Sequence, residues 1–141
     1  PKSILALNIK SDGLHPKIEK MVSHLTIDQY FLFDMSVPDF LSGSQYEVVQ
    51  FARASCFEDP SKLADLASGI WIDSFNSNFP NVDDLKSFSK EWKRQAIVSP
   101  ELHKREYLPF WGQLKKINFS EDSLIMLCTD HPKQATSFFN A

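Results

Sequence analysis

The chain has 141 residues, 43% of them apolar and 23% charged, with a net charge of −3. That is enough for one domain with a real core, and the interspersed signs argue against a nucleic-acid groove or a basic membrane patch. No apolar run approaches the roughly 18 residues of a membrane span, so no stable membrane insertion is expected.

Six strand-then-helix units follow one another. The first strand covers 4–10, with a helix near 15–25 entered through His15-Pro16, where proline is tolerated in the first turn. Tyr30-Phe31-Leu32-Phe33-Asp34-Met35 is the second strand, and Val37-Pro38-Asp39-Phe40-Leu41 starts a short helix. Val48-Val49-Gln50-Phe51-Ala52-Arg53 is the third, followed by a loop through Pro60 and a brief helix at 61–67. Gly69-Ile70-Trp71-Ile72-Asp73-Ser74-Phe75 is the fourth, and Val82, Leu85, Phe88 and Trp92 give residues 82–93 helical spacing. Ala96-Ile97-Val98-Ser99 is the fifth, leading through Pro100-Glu101 to a helix near 107–117. Leu124 to Asp130 is the sixth, and His131-Pro132 opens the last helix.

Most of these strands read as continuous apolar runs rather than alternating ones, as strands covered on both faces do. Parallel pairing through crossover helices is expected, in a single domain spanning 1–141. Twelve Phe and three Trp predict a bulky interior, with core packing the default for Trp71 and Trp111. Cys56 and Cys128 lack metal or redox spacing and read as buried thiols of a reducing, cytoplasmic compartment. His15 and His24 read as surface helix residues.

Polar groups gather where the strands stop: Asn8 and Lys10, Asp34, Arg53, Asp73, Thr129 and Asp130, with Ser99-Pro100-Glu101-Leu102-His103 after the fifth. Helix capping accounts for single aspartates at such junctions. It fails for Lys10 and Arg53, because a cation is unfavourable beside a helix N-terminus. Their plain alternative is a salt bridge to an aspartate. The functional one is a ring of cations and carboxylates around a mouth, suited to holding a phosphate with or without a metal. His103, two residues after Glu101 in a loop, reads as part of an exposed polar pair or as a ligand or acid/base group. Trp71 and Trp111 are candidates for a pocket wall. A glycine-rich phosphate loop and a Gly-x-Ser-x-Gly elbow are both absent from the sequence. Phe33-Asp34-Met35-Ser36 has a serine where an aspartyl-phosphate phosphatase carries a second aspartate.

Leu5-Ala-Leu-Asn-Ile-Lys-Ser-Asp-Gly-Leu14, Tyr30-Phe-Leu-Phe-Asp-Met-Ser-Val-Pro-Asp39, Ser99-Pro-Glu-Leu-His103 and Cys128-Thr-Asp-His-Pro132 together resemble the glycerophosphodiester phosphodiesterase family. Gly69-Ile-Trp-Ile-Asp-Ser-Phe75 and Phe51-x-Arg53-x-Ser55-x-x-Glu58 also look like a bacterial branch of it. The resemblance implies a (β/α)8 TIM barrel that hydrolyses a small phosphodiester with a divalent metal, Mg or Ca. It implies that Lys10 neutralises the phosphate, that Asn8 stands where the family has a metal-binding Glu, and that Glu58 adds a metal contact. Arg53, Trp71, Glu101, His103 and Trp111 would then bind substrate. The family's His-Arg-Gly, its Glu-x-Asp metal pair and its second His-Asp find no match in this chain. Six strands stand where a barrel has eight, and about 250 residues is typical for that fold. The expectation is an incomplete barrel, the carboxy-terminal portion of a longer enzyme, inactive alone and self-associating through its open edges. A non-catalytic remnant that binds a phosphorylated ligand or a partner, and a six-stranded open doubly wound sheet of the flavodoxin type, are the alternatives.

Overall fold

The computed structural model describes residues 3–27, 29–76, 78–118 and 123–141. Six strands alternate with helices: β1 (Leu5–Asn8), α1 (His15–His24), β2 (Tyr30–Phe33), α2 (Val37–Gly43), β3 (Phe51–Ala54), β4 (Gly69–Ile72), α3 (Val82–Glu91), β5 (Arg94–Val98), α4 (Leu108–Leu114), β6 (Leu124–Cys128) and α5 (Pro132–Asn140). Between β3 and β4 the connection contracts to a 3₁₀ turn at Pro60–Leu63, and a second such turn follows β5 at Pro100–His103. The helix expected at 61–67 is therefore one tight turn, opened by Asp59, whose carboxylate accepts from the Ser61 N–H.

All named strand pairings are parallel. β1 and β2 form one sheet, and β3-β4-β5-β6 form a second, in chain order. Between the two, Leu32 and Gln50 make a single parallel bridge, with the Leu32 N–H donating to the Val49 carbonyl at 2.8 Å.

The faces of this succession differ in what covers them. Leu32, Ala52, Ala54, Ile70, Ile72 and Ile97 point towards the helices, and every α-helix contributes to that cluster: Ile18 and Val22, Phe40, Leu85, Phe110 with Trp111 and Leu114, and Ala135. The opposite face carries Phe31, Phe33, Phe51, Trp71, Ala96 and Val98, and its buried residues come from strands alone. These side chains are buried by one another. Phe31 stacks on Phe51 with ring centroids 4.2 Å apart, and Phe33 on Trp71 at 3.9 Å. The alternation of a strand explains why β2, Tyr-Phe-Leu-Phe, is buried at all four positions: two residues serve each face. Gly69 is required here, because a Cβ would lie 2.5 Å from the Phe51 ring and 2.7 Å from the Arg94 carbonyl oxygen.

Two further expectations are overturned. His15 is 1% exposed rather than a surface residue, with Nε2 3.0 Å from the Gln50 amide oxygen. The imidazole is sealed beneath Gly43, whose missing Cβ would stand 2.3 Å from Nε2. Cys56 and Cys128 are free and only half-buried, since one follows β3 in a loop and the other ends β6.

Candidate functional site

Parallel strands entering one layer in the same direction bring their C-terminal ends to one rim, and the polar strand ends meet there. Asp34, directly after β2, has a left-handed backbone (φ 73°), which Asp tolerates better than most residues. Its carboxylate accepts from the Lys10 ammonium at 3.1 Å through one oxygen and from the Arg53 guanidinium through the other. Arg53 also grips Glu58 with two parallel bonds, at 2.5 and 2.8 Å, while the Ser55 hydroxyl donates to the same carboxylate at 3.2 Å. The result is a chain of alternating charge, Lys10–Asp34–Arg53–Glu58, crossing β1 to β3. The hydrogen bonds from Arg53 to Glu58, and then the pull of Asp34, outweigh burial and raise the guanidinium's pKa further.

One strand further on lies a second pair. The Asp73 N–H donates to the Ala54 carbonyl at 2.8 Å, which places its carboxylate beside the end of β3. His103, carried by the 3₁₀ turn after β5, places Nε2 2.9 Å from an Asp73 oxygen. A carboxylate on one imidazole nitrogen orients the ring and leaves the other nitrogen to take or give a proton.

A third group closes the rim between β5 and β6. Glu101 accepts from the hydroxyls of Ser99 and Thr129 and from the Asp130 N–H at 3.2 Å. Burial pushes this carboxyl up, but the hydroxyls and then the N–H groups of Glu101 and Asp130 outweigh it and leave it below the ordinary value. Ser99 in turn accepts from the Trp111 indole N–H at 2.8 Å, so the strand end is tied to the helix layer. The half-buried Cys128 thiol is pushed up by burial, then by Asp130, Asp73 and Glu101, and stays protonated near neutrality.

The capping reading fails for the three aspartates. α2 is capped by the Ser36 hydroxyl and α3 by Asn81, which accepts from the N–H groups of Asp83 and Asp84, while α5 has no side-chain cap. That frees Asp34 and Asp73 to face Arg53 and His103. Lys10 and Arg53 do form salt bridges. His103 and Glu101 are not a pair with each other; each is bonded to a different strand end. Trp71 is inside the strand-only face, stacked on Phe33, and Trp111 is fully buried against α5 aromatics, so neither stands open at the rim. Asn8 is exposed at the end of β1, level with Phe33. Sequence reasoning missed Asp73 as the partner of His103: the two are 30 residues apart, and only the parallel register joins them.

Asn8 and Glu58 do not fit a resident metal in this arrangement. Both Glu58 oxygens are bonded to Arg53, and no group of three His, Cys, Asp or Glu side chains suited to a metal occurs among the described residues. Among the described residues no helix is long and apolar enough to cross a membrane. Comparison with family models, with curated proteins and with solved structures returned no match.

Proposed function

We propose that this chain forms the larger part of a (β/α)8 barrel whose rim binds and hydrolyses a phosphodiester, as its resemblance to the glycerophosphodiester phosphodiesterases implies. The observation that carries the reading is the uniform placement of the helices. Strands that succeed each other in chain order, with every α-helix packed on one face, follow from right-handed crossovers that never change side. An open doubly wound sheet reverses its strand order once and lays helices on both faces. The self-packed aromatic face then corresponds to the filled interior of a barrel, and the polar rim to its functional end.

In this reading Lys10 and Arg53 oppose the charge that develops on phosphorus. His103, with Nε2–H donated to Asp73, takes the proton of the attacking water at Nδ1. The new P–O bond forms as the ester P–O bond breaks, and the departing alkoxide takes the proton now held at Nδ1 of His103 and leaves as the alcohol. The divalent metal that the resemblance implies finds no ligand set among the described residues. Two free thiols accord with a reducing compartment.

The test is hydrolysis of bis(4-nitrophenyl) phosphate by the product of the complete gene, with Mg2+, with Ca2+ and with chelator. Turnover that falls at least about a hundredfold in His103→Asn is expected for a general base. Near-normal turnover in that variant would remove His103 from the reaction.

One observation favours the non-catalytic reading instead: Lys10 and Arg53, the cations assigned to the phosphate, are each already paired with a carboxylate. Binding of a phosphorylated ligand without turnover in any metal condition would establish it.

A further inference from the structure

The rim also carries apolar surface that the charged groups do not account for. Phe57, in the loop after β3, is 82% exposed, and Phe75, in the loop after β4, is 44% exposed. Exposed aromatic rings cost solvation unless something covers them, and adjacent ones mark a contact surface rather than scatter. These two are adjacent, with ring centroids 6.3 Å apart, although 17 residues of chain separate them. Phe75 also meets the His103 ring edge-on at 5.5 Å, and His103 is bonded to Asp73. Phe57 is the immediate neighbour of Glu58, which Arg53 holds. The ledge therefore borders the imidazole at one end and the guanidinium–carboxylate pair at the other.

We infer that this ledge seats an apolar ester group of the substrate, so that the preferred phosphodiester carries an alkyl or acyl chain on one side of the phosphate. The inference rests on the phosphodiester reading above. Charge and geometry select this occupant. A phosphodiester whose phosphorus lies between Arg53 and His103 lays one ester arm over Phe75 and Phe57, which border His103 and Glu58. A polar glycerol arm would leave both rings in water. An apolar arm covers them, and each buried methylene is favourable.

Binding and turnover are separable tests. Calorimetry on the complete gene product compares methylphosphocholine with hexylphosphocholine, two phosphodiesters that share a head group. Hexyl binding at least about tenfold tighter is expected from partial burial of the added methylenes. Phe57→Ser and Phe75→Ser, alone and combined, should bring the hexyl-to-methyl affinity ratio towards one. Unchanged secondary structure by circular dichroism would exclude unfolding as the cause. Equal affinity for the two ligands in the wild type, or a ratio unmoved by the double variant, overturns the ledge. If the chain-length advantage persists while no phosphodiester is turned over, the hydrolytic reading fails and the apolar subsite stands.

Discussion

At the scale of single residues, the rim separates groups that matter for stability from groups that do not. Lys10 is 74% exposed and meets Asp34 at the surface, where an ion pair contributes little. Lys10→Met is therefore expected to leave the thermal midpoint by circular dichroism unchanged, while lowering phosphodiester turnover by orders of magnitude. Glu101 is the converse. Its folded-state pKa lies below the ordinary 4.5, so its contribution is whole above that value and is lost as pH falls through the folded-state value. The wild type should accordingly lose more stability than Glu101→Gln on going from about pH 5 to about pH 3. Urea midpoints at the two pH values measure this, and parallel losses would show that the Ser99 and Thr129 hydroxyls do not favour the ionised form.

At the scale of elements, each strand is shaped by two different neighbours. Gly69 faces Phe51 on the strand-only side, so Gly69→Ala forces a methyl against a ring wedged under Phe31 and against the backbone of β5. A loss of about 2 kcal/mol in urea unfolding is expected, as for overpacked cores. The six strands and most helices were legible in the sequence, because apolar runs bounded by Pro, Gly and Asp leave little else to form. The helix at 61–67 was not, because a short polar segment carries no periodicity that tells a 3₁₀ turn from a helix. The rim was half legible. Lys10, Asp34 and Arg53 could be read as strand-end groups, and Glu58 entered only through the family resemblance, but the partnership of Asp73 with His103 depends on register. The burial of His15 was illegible for the same kind of reason: it depends on Gly43 and Gln50, which arrive 28 and 35 residues later. The core reading of Trp111 holds, and only its partner was illegible: α4 laid on the sheet brings the indole to Ser99.

At the scale of the whole molecule, β1 and β6 each have one paired neighbour, and neither carries a charged residue among its named positions. Uncharged strand edges invite further strands. Residues 1–141 expressed alone are therefore expected to self-associate with concentration in sedimentation velocity, and a monomer at all concentrations would show that the edges are blocked. A different weakness runs through the middle. The backbone ladder between β2 and β3 is reduced to the Leu32–Gln50 bridge, and side chains supply the rest of the join: Phe31 on Phe51, Asp34 with Arg53, and His15 with Gln50. Such a fault line should yield first. A protease at low concentration would nick the exposed Ser44–Glu47 stretch beside it before any other interior bond, and deuterium would invade the amides flanking it ahead of those in β4 and β5.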